Sequence, residues 1–123
     1  MKTQRLRRTQ TQLEQALAAQ QRPFTPGESF LDRGVGLAID HAQGLVFLAT
    51  PDKAGMRADI LPASALGTHS ARTKLDNGFQ EHFVEIGAPG TTRPAWRLSC
   101  PDTALAVEVD LALSRLQGGP RPA

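Results

Sequence analysis

Apolar and polar residues alternate with a strand's period over residues 35–40: Val35, Leu37 and Ile39 fall on one face, Gly36, Ala38 and Asp40 on the other. That pattern predicts a strand with one buried side. Residues 45–49 (LVFLA) are apolar on both faces, as in a strand covered on both sides. Between the two runs lies Asp40-His41-Ala42-Gln43-Gly44, with Gly44 where a short hairpin loop needs a left-handed residue. This hairpin is the centre of the predicted fold.

The rest of the pattern is built outward from it. Residues 2–21 are rich in the helix formers Gln, Leu, Ala and Arg, and Pro23 ends the run. Leu6, Leu13 and Leu17 form a narrow stripe on one side of that helix. The stripe suits packing on the helix's own domain, and as an incomplete heptad-like seam it also suits self-association with a second helix. Residues 22–34 (RPFTPGESFLDRG) read as a linker and domain boundary, with an edge strand at 29–32.

After the hairpin, PDKAG is a turn, 56–61 a strand stopped by Pro62, and PASAL a single helical turn. Residues 66–75 form a polar, weakly alternating strand, the candidate edge of the sheet. Asn77-Gly78 is the strongest turn signal, since both residues accept the positive φ of a type I′ turn. Strands at 79–86 and 95–100 follow, the second with Trp96, Leu98 and Cys100 on one face. Residues 102–117 fit a strand or an amphipathic helix. Pro101 at a first helical position, Asp102 in the first turn, Arg115 in the last and Gly118-Gly119 beyond it select helix. The tail 118–123 is expected to be disordered.

The expected fold is therefore α+β and mainly β: a small antiparallel meander or barrel of six to seven strands, preceded by an N-terminal helix and capped by a C-terminal one. The expected organisation is a basic helical arm at 1–22, a linker at 23–34, a domain at 35–117 and the tail. A sheet this short must bury its apolar face against something, and the final helix is the largest apolar surface left. An open sheet with that helix on one face is the alternative.

Composition adds little beyond class. The chain has 123 residues, 40% hydrophobic and 21% charged, enough for one domain with a modest core. The single cysteine, Cys100, excludes an internal disulfide and points to a reducing, cytoplasmic setting. No secretory h-region or membrane-spanning run is expected. Charge is uneven: of a net +2, residues 1–22 carry +4, from Lys2, Arg5, Arg7, Arg8 and Arg22 against Glu14. Such an arm suggests an electrostatic partner.

Candidate chemistry is sparse. Pairing across Asn77-Gly78 sets His69 opposite Ile86 and His82 opposite Thr73, so the two imidazoles lie about 13 Å apart along the ribbon, too far to share a zinc ion. All three histidines are expected at the surface or in loops. Cys100 lacks a neighbouring base and is expected to be a buried, inert thiol. GAPGTT at 87–92 lacks the Gly-Lys-Ser/Thr ending of a phosphate loop, and Gly34-Val35-Gly36 lacks the third glycine of a dinucleotide site, so both read as turn glycines. No catalytic residue, metal ligand or cofactor is predicted, and the chain is not expected to be an enzyme.

The element order, with GLAIDHAQGLVFLA followed by ADILPASAL, resembles bacterial pleckstrin-homology-like domains over roughly residues 29–117. The resemblance implies two orthogonal antiparallel sheets plugged by the final helix. It also implies loop cations able to meet phosphorylated headgroups: here Lys53 and Arg57, with Arg72 and Lys74 near a later loop, interspersed with Asp52, Asp59 and Asp76. The leading functional expectation is a non-catalytic scaffold module that binds a protein partner or a second copy. The alternative is a nucleic-acid accessory protein contacting phosphates through Lys2, Arg5, Arg7 and Arg8.

Overall fold

The computed structural model describes residues 2–53 and 55–118, with side chains from Arg7 onward. It is α+β and mainly strands: two antiparallel sheets with a helix at each end of the chain. In order, the elements are α1 (Lys2–Ala19), β1 (Glu28–Ser29), β2 (Leu37–Asp40), β3 (Leu45–Asp52), β4 (Gly55–Pro62), β5 (His69–Asp76), β6 (Phe79–Gly87), β7 (Ala95–Cys100) and α2 (Thr103–Gly118). One sheet runs β1-β2-β3-β4, the other β5-β6-β7. Among the described residues no strand of one sheet pairs with a strand of the other. β4 ends on Pro62, which has no N–H to extend a ladder, and a 3-10 turn at Ala63–Ala65 precedes β5.

The chain divides into two compact units, residues 1–61 and 62–123. The division falls at the end of β4. In the first unit, Leu37–Leu48, Ala38–Phe47, Ile39–Val46 and Asp40–Leu45 pair across the central hairpin, and Gly44 takes φ 66° as its loop requires. All four residues of β2 are buried, so the strand is covered on both faces, although its alternation suggested one. Part of that cover is α1: Leu13 joins Leu31, Ala38, Leu45, Phe47, Ala49 and Ile60 in one cluster, with Leu17 and Phe24 packed against it.

The expected linker is pinned to the same unit. Gly27 N–H donates to Ile39 O at 2.8 Å and Phe30 N–H to Leu37 O at 2.9 Å, and Phe30 is buried. The edge strand foreseen at 29–32 is the two-residue β1, after which Leu31–Arg33 tighten into a 3-10 turn. Gly36 is not a turn glycine. Its amide plane lies so close to β3 that a Cβ there would stand 1.9 Å from Ala49 O, which only glycine tolerates.

In the second unit the expected register holds throughout: Asp76 faces Phe79, Thr73 faces His82 and His69 faces Ile86. Asn77 and Gly78 have φ of 51° and 82°, as a type I′ turn needs. α2 packs across β5, β6 and β7 with Leu105, Ala106, Val109, Ala112 and Leu113 buried. It covers the sheet face that carries Val84, Ile86, Trp96, Leu98 and Cys100, all buried. The helix begins at Thr103, two residues past the Pro101 that the sequence placed at its first position. Asp102 is the N-cap, its Oδ1 accepting the Leu105 N–H at 2.8 Å, and Pro101 precedes it. Gly118 closes the helix, and the rest of the expected tail lies outside the described residues.

Candidate functional site

Leu13 is 2% exposed and Leu17 is half-buried against the first unit's core, so these two members of the stripe pack on the unit itself. The Leu6 side chain lies outside those described, as do Lys2 and Arg5. Arg7 and Arg8 stand exposed on α1. Of the loop cations, Arg57 Nε pairs with Asp52 Oδ2 at 3.0 Å and Arg72 Nε with Glu85 Oε1 at 2.6 Å, so both are engaged by carboxylates. Lys53 and Lys74 are exposed, Lys74 opposite Glu81 on the neighbouring strand.

Of the three histidines, His69 departs from its expected surface position. His69 keeps only 9% of its side chain exposed, and its Nδ1–H donates to Asp110 of α2 at 2.5 Å. The carboxylate fixes the imidazole's tautomer and ties β5 to α2. This pair was missed because 41 residues separate its members. The available signal was helical spacing: Asp110 sits four residues after Ala106 and three before Leu113, on the edge of the buried face. His82 Nδ1 lies 3.0 Å from Thr73 Oγ1 and 3.1 Å from Thr103 Oγ1, bridging β5 and the start of α2. His41 is exposed, its Nε2 3.0 Å from Glu28 Oε1.

Cys100 occupies the position opposite His82 on β7. Burial, reinforced by the Asp102 charge, pushes its thiol up to about 11 from 9.0. A thiol so protonated is a poor nucleophile at neutral pH. Among the described residues no three His, Cys, Asp or Glu side chains gather as a metal site. An open depression of about 380 Å³ in the first unit is lined by Gln12, Gln15, Ala16, Pro51, Gly55 and Met56, with no ionisable group to do acid–base work.

What does stand out is the far end of β5. β7 pairs with β6 only from His82 to Gly87, so residues 74–81 continue past it as a two-stranded ribbon. Arg72 to Asp76 are all exposed, and the ribbon carries Leu75 and Phe79 at 71% and 75% exposure. β5 is an edge of its sheet, as its polar pattern suggested.

No protein-family model, curated protein or solved structure matches the chain. Among the described residues no helix is long and apolar enough to cross a membrane.

Proposed function

We propose that the chain is a non-catalytic protein-binding module, built to the pleckstrin-homology-like element order, whose contact surface is the outer half of β5 with the β5–β6 turn. The observation that carries this reading is the exposed edge from Arg72 to Asp76, with Leu75 and Phe79 projecting from its tip. An edge strand offers backbone N–H and C=O groups to an extended segment, and large apolar side chains beside it supply anchors. The succession of seven antiparallel strands and one closing helix supports the family reading. The engaged state of Arg57 and Arg72 speaks against phosphorylated headgroups as the ligand.

The test is capture of partners from cells that make the protein, followed by titration of each purified partner. Leu75→Asp with Phe79→Asp should weaken a genuine partner at least about tenfold, as loss of central apolar anchors does. Partners indifferent to those changes would overturn the reading. Salt-dependent binding to a DNA or RNA oligomer that vanishes in Arg7→Ala/Arg8→Ala, with the tip substitutions silent, would replace it by the basic-arm alternative.

A further inference from the structure

We infer that one partner of the β5 edge is a second copy of this chain, paired antiparallel about Leu75. The inference rests on the reading of β5 as the contact surface and adds the identity of the occupant.

Backbone direction comes first. Gly87 N–H donates to Thr68 O at 2.8 Å, and the β5–β6 register runs unbroken from His69–Ile86 to Asp76–Phe79. Even-numbered residues 68–76 therefore turn their N–H and C=O groups towards β6, and odd-numbered ones turn theirs outward from the sheet. Leu75 and Thr73 are the outward residues in the exposed half of the strand.

Charge then selects the register. Two copies of one strand pair antiparallel about a two-fold axis at a single residue, because any offset register would set outward groups against inward ones. An axis on Arg72, Lys74 or Asp76 places that charge opposite itself. An axis on Thr73 places Arg72 opposite Lys74. An axis on Lys74 also sets Arg72 opposite Asp76 but leaves Lys74 against Lys74, and only Leu75 places unlike charges together with no like pair: Lys74 of each copy meets Asp76 of the other, and Leu75 meets Leu75. In that register Leu75 forms the hydrogen-bonded pair. Lys74 and Asp76 form the closer, non-hydrogen-bonded pairs, with Cα atoms about 4.5 Å apart. Across the joined ribbon each row then reads Glu81, Lys74, Asp76 and Phe79, with the lysine between two carboxylates. Because pairing is confined to the strand ends, the two bodies extend in opposite directions. Edge lysines usually discourage such pairing; here the neighbouring aspartate neutralises that guard.

The overlap is short, so the dimer is weak and appears with concentration. Sedimentation of the full chain should show the mass rising from 13.2 kDa towards twice that value over a concentration series. Lys74→Asp and Asp76→Lys, each alone, set like charges opposite and should stay monomeric, whereas an equimolar mixture of the two should associate. Leu75→Cys should form an intermolecular disulfide under mild oxidant, its Cα atoms about 5.5 Å apart, and Phe79→Cys should not. A wild-type protein monomeric throughout, an association unmoved by either charge reversal, or a mixture that fails to associate would overturn the inference. Should purified heterologous partners still lose binding on Leu75→Asp with Phe79→Asp, the module reading would stand and only self-pairing would fall.

Discussion

Asp40 is the one charged residue buried among the described core side chains, at 1% exposure. Its carboxylate accepts the Thr25 N–H at 2.9 Å, the Gln43 side-chain amide at 2.7 Å and the Gln43 N–H at 3.1 Å. Those donors, the Thr25 amide foremost, hold its pKa below the ordinary 3.8. Because the folded state resists protonation more than the unfolded chain, the stability Asp40 contributes is intact above about pH 3.8 and is lost as pH falls through the lower folded value. Urea midpoints taken from pH 7 to pH 3 should drop at the acid end in the wild type. That component should be absent in Asp40→Asn, which should already be less stable at pH 7. Cys100 gives the opposite sign. Its raised pKa favours the neutral thiol, so its contribution holds below pH 9 and fades between 9 and about 11. Native protein should react slowly with an alkylating reagent at pH 8, with a rate profile centred near 11, and at an ordinary thiol rate once unfolded.

Elements owe their stability to contacts that local pattern shows unequally. Leu13→Ala should cost about 2–5 kcal/mol by chemical denaturation, since it opens a cavity between α1 and the first sheet. Asp102→Ala should cost about 1 kcal/mol through the lost cap. Gly36→Ala should cost about 3 kcal/mol or more, because neither Ala49 O nor its strand can give way cheaply. The β5–β6 ribbon was legible in sequence because Asn77-Gly78 fixes a turn, and a turn fixes register residue by residue. α2 was legible for the same reason: its ends carry their own signals in Asp102, Arg115 and Gly118. The cover over Ala38, the approach of Gly36 to Ala49 and the His69–Asp110 pair were not legible. Each joins residues distant in sequence, and nothing in the immediate neighbourhood of either member announces the other.

At the scale of the whole chain, α1 is part of the first unit's core and not an appendage. Removing residues 1–21 should expose Ala38, Phe47 and Ala49, and the truncated protein should bind a hydrophobic dye and aggregate where the full chain does neither. The candidate surface was half visible beforehand: the polar pattern of β5 marked an edge, but the register that sets Leu75 and Phe79 beyond the end of β7 came only with three-dimensional pairing. A final consequence follows from Trp96. It is the sole tryptophan in a chain without tyrosine, 3% exposed, with the Arg93 guanidinium 4.6 Å from its ring centre. Intrinsic emission therefore originates wholly in residues 62–123. A red shift during denaturation times the opening of that half alone, whereas far-UV circular dichroism sums α1 and α2, so helix loss that does not follow the red shift reports on α1.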